Sequence, residues 1–296
     1  MKKGIENIIQ KKYTSFYINT IKELGSGNDS IAYLINDEYV FKFPKHKKAS
    51  LNLQNELKIL NFIDNSLSLS TPKVEYWDID SSNYKEYYIG YKKISGSTIT
   101  VEMFNSLSEN KKEQIANNLA KFLNELHSLN YINNDIKVDK AEKYRNDYKF
   151  IESHLFEFLT TEEQENVANY YKTIFEKNFL YNYRDTLVHN DFSLSNMVFD
   201  INDEIVGIID FGDVAITDRD NDFLCLLEDS DEEFGREFGI EILIYYGLNE
   251  EEIKVAIEKA IINDEYWVFE QFILSYEYDN ISWRKESIKE IKELFN

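Results

Sequence analysis

The sequence predicts an α+β chain in two lobes: a small N-terminal lobe built on an antiparallel sheet with one helix, and a larger, mainly helical C-terminal lobe. Three observations predict it. Short β-rich runs punctuated by turn residues occupy residues 1–95. Apolar residues recur at helical spacing from residue 108 onward. One turn-rich insertion, residues 186–213, interrupts the helices.

Each element follows from local chemistry. Residues 18–24 read as a strand leading into Gly25-Ser26-Gly27, and Ile31–Ile35 and Tyr39–Phe43 as two more, with Asn36-Asp37-Glu38 as the turn between them. That pattern is two antiparallel hairpins. Residues 50–63 change period: Leu53, Leu57, Leu60 and Ile63 share a helical face. Short strands follow near Val74–Asp78 and Tyr87–Tyr91, and Gly96 marks the lobe boundary, giving lobes 1–95 and 96–296. Residues 108–129 carry an apolar stripe of Ile115, Leu119, Phe122, Leu123 and Leu126, with Ser108 as N-cap. Residues 145–159 and 162–178 read as two further helices, and 231–296 as helical with Gly247 as a C-cap. A joint between two such lobes leaves a cleft, where ligand sites form.

Composition narrows the class. The chain has 296 residues, enough for one large domain or two modest ones. Its formal charge is −21, which repels phosphate backbones, so neither nucleic acid nor an anionic membrane is an expected partner. The bland account of that acidity is solubility. Cys225 is the one cysteine, so an intrachain disulfide is excluded, and His46, His127, His154 and His189 lack zinc-ligand spacing. No apolar run approaches the ~18 residues of a membrane span, and Gly4-Ile5-Glu6-Asn7-Ile8-Ile9 gives no signal-peptide core. A cytoplasmic monomer is the expectation.

The chemistry lies in Val188-His189-Asn190-Asp191-Phe192-Ser193-Leu194-Ser195-Asn196, followed by Ile208-Ile209-Asp210-Phe211-Gly212-Asp213. His-x-Asp-x₄-Asn, a short hairpin, then Asp-Phe-Gly resembles the protein-kinase-like phosphotransferases. In such chemistry one carboxylate accepts a proton from the attacking hydroxyl, and Asp191 suits that role. Mg²⁺ prefers hard oxygen ligands, which Asn196 and Asp210 supply from either side of a hairpin. The resemblance makes His189 a prop of the catalytic loop. In the N-terminal lobe, Leu24-Gly25-Ser26-Gly27-Asn28-Asp29-Ser30 lacks the full GxGxxG pattern, yet its amides and the Ser26 or Ser30 hydroxyl can cover phosphates. Lys42 lies on the next strand between apolar neighbours. A lone strand lysine is usually a solvated edge residue, but Glu56 on the following helix is a natural ion-pair partner. No Walker lysine motif occurs. Tyr88–Ile94 fits the hinge, with backbone groups of Lys92 to Ile94 at the purine edge and Tyr91 screening the pocket behind it, which biases the site towards GTP over ATP.

The similarity goes further than the superfamily. Gly25–Tyr33, His189–Ser193, Gly207–Asp213, Asp222-Phe223 and Leu226–Glu233 resemble the aminoglycoside phosphotransferases, most closely the 2″ branch. The resemblance spans nearly the whole chain and is weakest over 130–185 and at the C-terminal end. It implies transfer of the γ-phosphate of GTP or ATP, with Mg²⁺, to a hydroxyl of gentamicin-, tobramycin- or kanamycin-type antibiotics, and hence resistance. Such substrates carry several ammonium groups, and the residues answer them. Residues 228–233 read Glu-Asp-Ser-Asp-Glu-Glu, with Glu228 and Glu232 expected at i,i+4 on one helical face. Asp213, Asp218, Asp220 and Asp222 lie upstream, a density that invites a relieving cation. The expected substrate contacts are Ser193, Asp213, Glu228, Asp229, Glu232, Glu233 and Trp267. Trp267 and Tyr266, on a late helix with Glu270, either face a sugar ring or fill the core. Asp222 is read as capping the catalytic loop. Two other readings keep their place: a kinase of another small alcohol such as choline, and an inactive module that captures polycations.

Overall fold

The computed structural model describes residues 2–295; Met1 and Asn296, the outer ends of the two expected lobes, lie outside the described residues. In chain order the elements are α1 (Lys2–Lys12), β1 (Ile21–Ser26), β2 (Ser30–Ile35), β3 (Tyr39–Pro44), α2 (Lys47–Ile63), β4 (Val74–Asp78), β5 (Tyr88–Lys92), α3 (Val101–Asn105), α4 (Glu109–Ser128), α5 (Lys140–His154), α6 (Thr161–Phe175), β6 (Asp185–Val188), β7 (Met197–Phe199), β8 (Ile205–Ile208), β9 (Ala215–Asp218), α7 (Leu224–Leu227), α8 (Arg236–Tyr246), α9 (Glu250–Glu277) and α10 (Ile281–Leu294). This is the α+β architecture that the sequence predicts. No helix among the described residues is long and apolar enough to cross a membrane.

The chain condenses into two compact units. One holds the residues up to Leu126 together with His189–Val214; the other holds His127–Val188 and the segment from Ala215 on. In the first unit β1 to β5 form an antiparallel sheet in the order β1-β2-β3-β5-β4. β3 is therefore central. Alternation along it sends Phe41 and Phe43 to the face that buries Ile5 and Ile9 of α1, and Lys42 to the opposite face. The sequence pattern did not anticipate α1. Gly90 is forced by this packing, because it pairs with Phe41 and a Cβ there would come within 2.6 Å of the Phe41 ring. The β7–β8 hairpin belongs to the same unit, with Met197 opposite Ile208.

The second unit is built mostly of helices around an aromatic core that includes Tyr171, Tyr266, Phe269 and Phe272. Its helix starts lie earlier than the apolar periodicity alone indicates, because caps set them. The Asp139 side chain accepts from the Glu142 amide and starts α5 at Lys140; a reciprocal Thr160–Glu163 capping box starts α6 at Thr161. Gly247 closes α8 with φ 101°, the left-handed conformation that glycine adopts without strain. One expectation is corrected. Glu228 to Gly235 is not helical: α7 ends at Leu227, Glu228 is extended, and α8 starts only after Gly235 at φ 86°. Glu228 and Glu232 therefore do not share a helical face.

Candidate active site

The β7–β8 hairpin gathers the motif residues. Asn196 precedes Met197 and Ile209 follows Ile208, so the paired strand ends bring the Asn196 loop beside the Asp210 segment; the Ile209 amide donates to the Asn196 carbonyl at 2.9 Å. The Asn196 side-chain amide donates to the Asp191 carboxylate (2.7 Å) and to the Asp191 carbonyl (2.9 Å). Both amide hydrogens are thereby used, and the amide oxygen is left as the group Asn196 can offer a cation. Asn190 before it sits at φ 66°, a left-handed position that asparagine tolerates better than most residues. His189 is fully buried, donates from Nε2 to the Ile209 carbonyl at 3.0 Å and packs edge-on against Phe211. It ties the loop to the strand that delivers Asp210. The Ser193 hydroxyl is buried and bonds Ser195 Oγ at 2.8 Å.

Lys42 and Glu56 meet as the sequence predicts. Lys42 Nζ donates to Glu56 Oε2 at 2.9 Å and to Asp210 Oδ1 at 2.6 Å. Glu56 occupies the buried face of α2 with Leu53, Leu57 and Leu60, which removes it from water. Burial would depress the Lys42 pKa, but the two carboxylates outweigh it and hold the ammonium charge above the ordinary lysine value. Burial pushes Glu56 up to about 7, against the pull of Lys42 and with the push of Asp210. Asp210 resists burial through Lys42 and lies below the usual carboxylate value. Asp210 itself adopts φ 64°, ψ 70°, and its Oδ1 accepts from the Gly212 amide. A Cβ on Gly212 would lie 3.2 Å from both Asp210 Oδ1 and Lys42 Nζ, so glycine lets the ion pair close there.

A pH test follows from Glu56. Below about pH 4.5 its carboxyl is protonated in folded and unfolded chains alike, whereas between 4.5 and about 7 only the folded chain keeps the proton. Glu56 therefore lowers stability as pH rises through that window. Relative to wild type, Glu56→Gln is expected to gain roughly 3 kcal/mol between pH 4.5 and 7.5; thermal melts across that range check it.

The other residues expected to meet the donor lie on the five-stranded sheet or just after β5. Tyr91 is buried, and its phenol is pushed above the ordinary tyrosine value by burial first and then by Glu56, with Asp210 adding and Lys42 opposing. Lys92 is exposed and pairs with Glu38 at 3.2 Å, while the Lys93 amide donates to the Glu38 carbonyl at 2.8 Å. Ile94 packs against Gly207 of β8. Ser26 and Ser30 end β1 and begin β2, flanking the glycine-containing turn. Asp213 presents an exposed face, yet desolvation and the charges of Asp191 and Asp210 push its carboxyl up to about 6. Three carboxylates thus crowd one place, with Lys42 as their neighbouring cation. No group of three or more His, Cys, Asp or Glu side chains arranged to hold a metal occurs among the described residues. Asn196 and Asp210 nevertheless offer the hard oxygens that suit Mg²⁺ shared with substrate phosphates, so the donor set fits that ion.

The second unit holds the other predicted residues. Asp229 and Glu232 are exposed, Glu228 is half-buried and Glu233 is buried. Trp267 is 47% exposed on α9, whereas Tyr266 is core and donates its hydroxyl to Asp147. Glu270 pairs with Lys143. Asp264 stands one turn before Trp267 on the same face of α9. Its carboxyl is pushed up to about 6 by desolvation and then by Glu228, with Glu265 and Asp229 adding and Arg236 opposing.

Asp218 and Asp220 differ from expectation. Lys259 Nζ donates to Asp218 and Asp220 at 2.6 Å each, Lys140 approaches Asp218 at 3.4 Å, and Arg219 pairs with Asp220 and Glu252. Asp222 is fully buried and meets His127 Nε2 at 2.9 Å. Cations for this cluster come from the protein itself: Lys140 and Lys259 from helices far along the chain, and Arg219 from within the segment. Lys259→Met removes the ammonium that Asp218 and Asp220 share and leaves them Lys140 and Arg219 respectively; it is expected to cost about 1.5–3 kcal/mol of stability, measured by urea unfolding.

Known proteins resemble this chain over most of its length. Residues 20–255 match the model of the phosphotransferase enzyme family, APH. Among solved structures, the ADP-bound aminoglycoside phosphotransferase APH(2″)-Ib is 35% identical, with 99% of this chain and 98% of that chain covered and a TM-score of 0.86. The streptomycin–ATP–APH(2″)-IIa ternary complex is 35% identical over 99% and 96% of the two chains, with a TM-score of 0.87. The gentamicin complex of APH(2″)-IIa is 36% identical over 96% and 95%, also at 0.87.

Proposed function

The chain belongs to the aminoglycoside phosphotransferase (APH) family of phosphotransferase enzymes, and from that premise we propose that it transfers the γ-phosphate of a purine nucleoside triphosphate to the 2″-hydroxyl of an aminoglycoside antibiotic. The observation that carries the reading is the convergence at the β7–β8 hairpin. Asp191 is held by Asn196, Asp210 is held by Lys42, and Lys42 is held by Glu56. In our reading Lys42 orients the donor's phosphates and Asp191 takes the proton from the attacking hydroxyl in line with the leaving group. Asn196 and Asp210 would hold Mg²⁺, which when bound neutralises charge on the phosphates. Backbone groups of Lys92 to Ile94 meet the purine, and Ser26 and Ser30 meet the phosphates.

The substrate's ammonium groups are assigned to Asp213, Glu228, Asp229, Glu232, Glu233 and the newly found Asp264, with Trp267 against a sugar ring and Ser193 at the acceptor hydroxyl. Solved relatives hold streptomycin and gentamicin, which supports the antibiotic class. Two observations bear on the donor: the bulk of Tyr91 favours GTP, and the ADP and ATP held by the two relatives favour ATP. We keep the lobe boundary at residues 95/96, a monomer and a cytoplasmic location as part of the same proposal.

The test is mass spectrometry of gentamicin, tobramycin, kanamycin and choline after incubation with the purified protein, Mg²⁺ and either GTP or ATP. One added phosphate on an aminoglycoside, located by fragmentation on the 2″-oxygen, is the expected product. Phosphorylated choline with unmodified antibiotics would reassign the acceptor, and no transfer from either donor would sink the proposal.

A further inference from the structure

The turn between β1 and β2 is not held by packing. β1 is exposed along all but its first residue, and a Cβ added at Gly25 or Gly27 would meet nothing within 4 Å. What holds the turn is polar. Asp29 Oδ1 meets His46 Nε2 at 3.1 Å, Asp29 Oδ2 accepts from Asn52 Nδ2 at 2.8 Å, and the Asp29 carbonyl accepts from the Lys45 amide at 2.8 Å. The Lys45 ammonium also donates to the Gly27 carbonyl. The direction of the His46 bond is fixed by its other nitrogen. Nδ1 accepts from the Ala49 amide as the N-cap of α2, so in the neutral ring Nε2 carries the hydrogen and donates to Asp29.

We propose that Asp29 is a positioning residue for the phosphate donor: it clamps the turn between β1 and β2 onto the first turns of α2, and so fixes the turn's amides and the Ser26 and Ser30 hydroxyls where the donor's phosphates lie. The inference rests on the phosphotransferase reading above. A carboxylate beside a triphosphate is otherwise a liability, since like charges repel. Here both its oxygens are occupied by donors from one helix, one of them the helix cap. The segment that receives the turn is also the one that carries the chemistry: Lys45 and His46 directly follow β3, which bears Lys42, and α2 bears Glu56. The clamp therefore sets the turn and the lysine pair in one frame before the donor arrives, which removes an ordering cost from binding. The Asp29 charge is felt at Asp213, consistent with a location beside the reacting groups. Sequence reading passed over Asp29 because its partners lie 17 and 23 residues away.

The test uses Asp29→Ala, His46→Asn and the double variant. Asparagine is a good N-cap and keeps an acceptor for the Ala49 amide, but it is too short to cap the helix and reach Asp29 at once. The expected result is an approximately tenfold rise in the nucleotide KM and in the dissociation constant of MgATP or MgGTP for each single variant. The double variant is expected to be no worse than either single one, because both remove the same clamp. At saturating nucleotide the aminoglycoside KM should stay within twofold of wild type, and His46→Asn should melt within a few degrees of it. A purely structural role would instead lower the melting temperature and disturb both substrates together. Nucleotide constants within twofold of wild type in either single variant, or additive losses in the double, would overturn the clamp. If wild-type protein binds MgATP or MgGTP but modifies no aminoglycoside, the acceptor reading fails while calorimetric nucleotide binding still decides the clamp. A wild type that binds neither nucleotide defeats both.

Discussion

Asp191→Ala is expected to lower kcat for antibiotic phosphorylation by about 10²–10⁴-fold, the span that a positioned general base contributes, while leaving the nucleotide KM within a few-fold of wild type. The reason lies in the division of labour around the hairpin. Asp191 is bonded to Asn196, whereas Lys42 pairs with Glu56 and Asp210. Removing the Asp191 side chain leaves those ion pairs intact. It does strand one hydrogen of the buried Asn196 amide, at a cost of about 1–3 kcal/mol. Asp191→Asn separates the two effects, since its side-chain oxygen still accepts from Asn196 while it no longer takes a proton. Steady-state kinetics with kanamycin and either donor, beside thermal melts, are the measurement. An Asp191→Asn enzyme that turns over within tenfold of wild type would remove Asp191 from the proton-accepting role.

Lys42→Met carries the second large effect, on stability as well as turnover. Glu56 has 1% side-chain exposure and would lose its cation, whereas Asp210 is 45% exposed and can be rehydrated. Breaking the buried pair is therefore expected to cost about 3–5 kcal/mol, carried by Glu56. Acidification should shrink that penalty: burial already pushes Glu56 up to about 7, and without Lys42 it rises further, so a proton replaces the lost ammonium at low pH. The double variant Lys42→Met/Glu56→Gln should recover most of the stability and none of the activity. Urea unfolding at pH 5.5 and 8, with phosphate-transfer assays on the same samples, tests all three statements. A single variant as stable as wild type at pH 8 would contradict the pair's assigned energetics.

Several features were legible in the amino-acid order because their causes are local. Asp191 and Asn196 lie five residues apart on one loop, and Asp210 follows across a hairpin whose β-runs are visible in the sequence. Lys42 flanked by apolar residues on one strand, and Glu56 on the helix that follows, were legible as an ion pair from the sequence; that both are buried came from the fold. Caps are local as well, yet Asp139 and Thr160 shift α5 and α6 to starts that apolar periodicity does not show.

Charge placement was a tertiary matter. The Asp and Glu run from 228 to 233 has helix-compatible spacing, but α7 stops at Leu227 and Gly235 turns the chain before α8, so its acids sit on an irregular segment. Asp218 and Asp220 look in sequence like part of one unrelieved acidic surface; in the fold they are neutralised by Lys259, 41 and 39 residues away, and by Lys140. Lys42 reaches Asp210 across 168 residues. Periodicity, caps and motif spacing act within a few residues and are written in the chain itself. Which carboxylates remain to meet a cation from solution depends on which internal ammonium groups folding brings to the others, and Coulomb interactions depend on distance in space rather than along the sequence.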